Sequence, residues 1–140
     1  IEKVVALAVL MPIVSSMGGV AGSQTLTLAI RNMAQDELFD THLGWLTRRE
    51  VAVGTVNGCL WAIVAAVAAS LFFQDQNLGI IIAVALIINL VVAALAGALL
   101  PSFLRSIRID PAIAGTVVLT TVTDVVGFLS FLGLATWFYA

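Results

Sequence analysis

The chain has 140 residues, 61% of them hydrophobic and 10% charged, with a mean hydropathy of +1.14 and a formal net charge of −2. Soluble domains carry about 25% charged residues, so this composition excludes an ordinary soluble domain and points to a membrane protein. The chain has no basic tract or nucleic-acid fold signature, which removes nucleic acid as a partner, and its single cysteine, Cys59, permits neither an intrachain disulfide nor a cysteine zinc cluster.

Ile1 is not an initiator methionine. Glu2 and Lys3 lead directly into an apolar run with no small-residue cleavage site, so the start reads as the edge of a fragment rather than as a signal peptide. The first predicted span covers about 4–31, ample for a bilayer core of roughly 30 Å. Pro12 removes a backbone donor inside it, and Ser15, Ser16, Gly18, Gly19, Gly22, Ser23 and Gln24 follow. Two readings stand side by side for that half. Gly18 and Gly22 have the GxxxG spacing of a helix-packing surface, and the same glycines suit a locally irregular helix whose carbonyls face a water-filled cavity.

Residues 32–50 hold Asp36, Glu37, Asp40, Arg48, Arg49 and Glu50, with Leu38, Phe39, Leu43 and Leu46 at helical intervals. That pattern predicts an amphipathic connector at the membrane surface, with Trp45 at headgroup level. His42 lies in it without the convergent partners that a metal site needs. The second span, 51–73, carries Gly54, Gly58, Ala65 and Ala69, a small-residue face for packing, and Cys59 reads as a small packing residue among them. Gln74 to Gly79 then makes a turn short enough to require an antiparallel neighbour.

The third span, 80–104, has one conspicuous polar residue, Asn89, which is expected to hydrogen-bond across to another helix rather than to line a path. Pro101 bends its end, and Arg105, Arg108, Asp110 and Pro111 form the next connector. The fourth span, 112–139, opens on Asp110-Pro111, where an acid favours the helix N-terminus and proline loses no hydrogen bond. It ends on Trp137 and Tyr139, which suit the far interface. The fold class that follows is all-α, a polytopic helical membrane bundle forming one domain over 1–140.

Orientation follows from the basic residues. Arg31, Arg48 and Arg49 flank one connector and Arg105 and Arg108 lie in another, while the 74–79 turn has none. The two basic connectors are therefore expected in the cytoplasm, with both ends of the chain outside and a further span upstream.

Chemistry concentrates in the fourth span. Asp124 is the one acid within a predicted span, and such a group at a helix centre costs roughly 2.5 to 3.5 kcal/mol. Thr116, Thr120, Thr123, Asp124 and Gly127 recur at helical spacing and predict one polar stripe. No second carboxylate or histidine within a span completes a hydrolytic site or holds a haem, so the chain does not read as an enzyme. Three roles remain for Asp124: a cation site, a proton relay, and a protonated structural acid. A cation site is favoured because Mg²⁺ keeps several waters and takes one or two carboxylates. Two copies of the chain on a two-fold axis supply the second one.

Several motifs together resemble the membrane domain of MgtE-type magnesium transporters: Met11-Pro12, then Gly18-Gly19-Val20-Ala21-Gly22-Ser23-Gln24, Gly97 to Pro101, Asp110-Pro111-Ala112, and TTVTDVVG at Thr120 to Gly127. The resemblance implies a five-helix domain, of which this chain supplies helices two to five. It also implies a homodimer in the bilayer of the plasma (inner) membrane, and a central pore passing Mg²⁺ and related divalent cations inward. On it, Asp124 falls on the pore aspartate, Thr120 and Thr116 take neighbouring pore-side positions, and Gly18 and Gly19 match the glycine pair near the pore. Val20, Ser23 and Thr116 stand where asparagines are usual. Many members also carry cytosolic regulatory domains; none is present in this sequence, so any such regulation lies outside it or does not exist. A Mg²⁺ exchanger coupled to Na⁺ or H⁺ through Asp124, and a non-transporting helical anchor, are the alternative functions.

Overall fold

In a hydrocarbon core the backbone has no water to bond to, so long apolar runs close their own hydrogen bonds as helices. Four such runs become four helices, α1 (Glu2–Gln35), α2 (Phe39–Phe73), α3 (Gln76–Ser106) and α4 (Pro111–Tyr139). The computed structural model describes residues 2–35 and 39–139, with side chains over 5–34 and 43–138. Asp36, Glu37 and Leu38, and the side chains of Phe39, Asp40 and His42, lie outside the described residues. All four helices are long and apolar enough to cross a membrane.

α3 is the axis of the bundle. Just over half of its most apolar window (56%) is buried, against 17–33% for the other three. It packs against α2, α1 and α4, α1 also packs against α4, and α2 touches α1 only slightly. The main core joins Leu10 and Val14 of α1, Ile81, Ile82 and Leu86 of α3 and Phe131 of α4. Large apolar side chains of α2, among them Val56, Leu60, Ile63, Leu71 and Phe72, remain exposed, as a lipid-facing surface requires.

Small residues set how closely the helices approach. A Cβ on Gly97 would lie 2.7 Å from the Gly22 carbonyl oxygen and 2.9 Å from Thr25 Cβ, so α1 and α3 cross there at backbone distance. Asn89 is fully buried in the same interface, and its Nδ2 donates to the Val14 carbonyl oxygen at 2.8 Å. This is the interhelical bond expected of a lone amide. α1 remains α-helical through Pro12 and the glycine-rich half, so its backbone there is regular, and Gly18 and Gly22 pack against Asn89 and Leu119.

The helix ends follow local chemistry. Asp75 caps α3 by accepting from the amides of Asn77 at 3.0 Å and Leu78 at 3.4 Å. Asp110 accepts from the Ala112 amide at 2.9 Å, with Pro111 opening α4 as the sequence suggests. Gln74 and Arg108 take the left-handed conformation, with φ of 53° and 64°, at the two tight turns.

The expected surface connector at 32–50 takes a different form. Residues 32–35 continue α1, and 39–50 are the opening turns of α2, which runs unbroken to Phe73. Leu46 is buried with Ala29, and Leu28, Met33 and Leu43 pack against the pair, so apolar contacts turn this stretch along the bundle. Trp45 is exposed, and the Arg49 guanidinium lies 5.6 Å from its ring centre.

Candidate functional site

α4 divides the predicted threonine stripe in two. Gly115, Leu119, Thr123, Gly127, Phe131 and Ala135, four residues apart, are all buried and form the seam against α1 and α3. Thr116 and Asp124 are exposed and Thr120 is half-buried, one helical step round from that seam. Thr123 donates to the Thr120 carbonyl oxygen at 3.1 Å, and Gly127 packs on Ser15 and Asn89, so neither reaches the face that carries Asp124.

That face borders a cavity of about 730 Å³ between α1 and α4. Asp124 and Thr120 line it from α4; Ser15, Ser16, Gly19, Val20, Ser23, Gln24 and Thr27 line it from α1. Of the five residues singled out from the sequence, the structure brings Asp124, Thr120 and Gly19 together here. Thr116 is not among the lining residues, although its carbonyl oxygen accepts from Thr120 Oγ1 at 2.9 Å. Gly18 points the other way, against the Asn89 side chain. The glycine pair therefore divides its work, Gly19 opening the cavity and Gly18 closing the interface behind it.

The cavity offers one carboxylate, several hydroxyls and one amide, all oxygen donors of the kind that hard cations take. Its other side groups are small, so water-sized space lies directly against Asp124. Among the described residues, no three of His, Cys, Asp and Glu come together. Such a wall suits an ion that keeps its own waters better than one stripped and held by the protein. Val20 of α1, on the cavity wall, and Val125 of α4, next to Asp124 in the chain, are large exposed apolar side chains.

One polar residue escaped the sequence reading. Glu50 stood among the connector charges, yet it is only 9% exposed and its Oε2 accepts a hydrogen bond from Thr25 Oγ1 at 3.1 Å. The signal was its spacing. Glu50 follows Leu46 by four residues and Leu43 by seven, which puts it on the helix face of two packed leucines.

Comparison with known proteins places the chain. The MgtE family model, described as a divalent cation transporter, matches residues 11–134. The chain is 31% identical over 138 residues to the magnesium transporter MgtE of Bacillus subtilis, covering 99% of this chain and 31% of that protein. It is 30% identical over 132 residues to the magnesium transporter MgtE of Enterococcus faecalis, covering 94% of this chain and 29% of that protein. It is also 30% identical over 136 residues to the magnesium transporter MgtE of Thermus thermophilus, covering 96% of this chain and 30% of that protein. The chain thus spans under a third of the length of these relatives.

Proposed function

The chain belongs to the MgtE family of divalent cation transporters, and from that premise we propose that it is the membrane part of a Mg²⁺ conduit formed where two copies meet across the Asp124 face. A transporter family, rather than an enzyme family, also accords with a single carboxylate in the α4 span. The observation that carries the proposal is the exposure of Asp124 on the wall of a cavity of about 730 Å³, within a helix long and apolar enough to cross a membrane. A lone carboxylate facing lipid is costly, so a conduit or a partner must cover it. A second copy does both. It covers the exposed Val20 and Val125 and brings a second carboxylate, and paired carboxylates hold a divalent ion better than a monovalent one.

The residues supply the chemistry of passage. Asp124 attracts the hydrated cation electrostatically, and Thr120, the serines and Gln24 hydrogen-bond its waters without stripping them. A hydrated ion held through its own shell is bound weakly enough to leave again, which conduction needs. The driving force is the membrane potential, about 2.3 kcal/mol per elementary charge per 100 mV, acting twice on a divalent ion and inward when the basic connectors lie inside.

Uptake into proteoliposomes holding the full protein and an entrapped Mg²⁺ indicator tests the proposal. An inside-negative potential alone is expected to drive entry. Entry that requires an opposing Na⁺ or H⁺ gradient overturns the conduit in favour of exchange at Asp124.

A further inference from the structure

Glu50 is a buried carboxylate, on the opposite side of α1 from the exposed Asp124. It lies in the first third of α2, nine-tenths buried, and among the described residues its hydrogen bond comes from the Thr25 hydroxyl. It borders a cavity of about 270 Å³ between α1, α2 and α3, whose other polar lining residues are Gln24, Thr25 and Asn57. Among the described residues, no Lys or Arg lines that cavity. A carboxylate taken out of water is stable only with compensating partners, and one hydroxyl does not neutralise its charge. The space beside it, about 270 Å³, is large enough for several waters or for an ion with part of its hydration shell.

The donor set identifies the class of ligand. A carboxylate, a hydroxyl and two side-chain amides are all hard oxygen donors, and the described lining residues include no His, Cys or Met. That set selects Mg²⁺, Mn²⁺ or Ca²⁺ over Zn²⁺ or Cu⁺. The surroundings add a direction. Gln24 lines both this cavity and that of Asp124, and a third cavity of about 310 Å³ bordered by Ser16, Gln24 and Asn57 lies beside them. Polar side chains therefore run around α1 from Asp124 to Glu50. Thr25 stands nine residues beyond Ser16, about 13.5 Å along the helix, toward the end of the bundle where α1 passes into α2.

We propose that Gln24, Thr25, Glu50 and Asn57 form a second binding site for a partly hydrated divalent cation, separate from Asp124 and nearer the α1 to α2 end. In the ion-bound state Glu50 supplies the direct ligand or accepts from the ion's water, Thr25 holds one carboxylate oxygen in place, and the two amides turn their carbonyl oxygens toward the cation. Binding there does not depend on how ions pass Asp124.

Manganese is the probe. Crystals of the full protein soaked in Mn²⁺ and measured at the manganese edge are expected to show an anomalous peak inside the Gln24, Glu50 and Asn57 cavity. The peak is expected to survive in Asp124→Asn crystals, which report this site independently of the conduit, and to vanish in Glu50→Gln crystals. In solution, Glu50→Gln on the Asp124→Asn background should lower the number of tightly bound Mn²⁺ per subunit by one in an electron paramagnetic resonance titration. An empty cavity in native crystals under the same soak overturns the proposal even if Glu50→Gln fails to fold. An undiminished peak or unchanged stoichiometry in Glu50→Gln overturns it equally.

Discussion

Alanine at Gly18 probes the interface that holds the α1 wall of the Asp124 cavity in place. An ideal Cβ at Gly18 would fall 2.8 Å from Asn89 Cγ, closer than real Cβ atoms come, and a tight 3.3 Å from its Oδ1. Asn89 has little room to yield. Its Nδ2 is bonded to the Val14 carbonyl oxygen, and a Cβ at Gly127 on the far side would itself come within 3.1 Å of that nitrogen. The methyl must therefore displace the Asn89 side chain, breaking its bond, and over-pack the α1 to α3 interface. Over-packing costs about 1–3 kcal/mol and losing an interhelical bond adds about 0.6–1.7 kcal/mol, so Gly18→Ala is expected to lose about 2–4 kcal/mol. Reversible unfolding in mixed micelles measures this for Gly18→Ala, Asn89→Ala and the double variant. Asn89→Ala removes the group the methyl strikes, so the double variant should lose less than the sum of the single ones by at least about 1 kcal/mol. Strict additivity, or a Gly18→Ala variant within about 0.5 kcal/mol of wild type, refutes the packing argument.

Three further variants test the frame around the site by the same unfolding measurement. Gly97→Ala places a Cβ against the Gly22 carbonyl and Thr25 Cβ, so it should cost about 3 kcal/mol, and Thr25→Ala, which keeps that Cβ, should not rescue it. Asp110→Ala removes the acceptor of the Ala112 amide at the start of α4 and should cost about 1 kcal/mol, with Asp110→Ser retaining most of the stability. Gln74→Gly relieves a left-handed residue at the α2 to α3 turn and should stabilise by up to about 1 kcal/mol.

What the sequence disclosed, and what it hid, follows from whether a property is local. Four apolar runs, the Asp110-Pro111 start of α4 and the bonding of Asn89 were legible, because hydropathy, capping and the isolation of one amide in an apolar helix are properties of one segment. The continuation of α2 back to Phe39 was hidden by its charges, since Leu43 and Leu46 take their meaning from Leu28, Ala29 and Met33 of another helix. Glu50 was hidden for the same reason, as its partner Thr25 lies twenty-five residues away. The threonine stripe and the glycine pair were correctly placed on helices and incompletely resolved into faces. A helix advances about 100° per residue, so Gly18 and Gly19, or Thr123 and Asp124, point to different neighbours that periodicity alone does not name.

The central claim is that Asp124 meets the passing ion, and the Mg²⁺ flux of Asp124→Asn in proteoliposomes tests it most directly. The substitution keeps size and hydrogen bonding and removes the charge, so the account predicts at least about a tenfold loss of flux, about 1.4 kcal/mol, in a protein whose unfolding is unchanged or shifted toward stability. Flux equal to wild type in Asp124→Asn would contradict the account and leave the α1 to α4 cavity as a packing feature of a helical anchor.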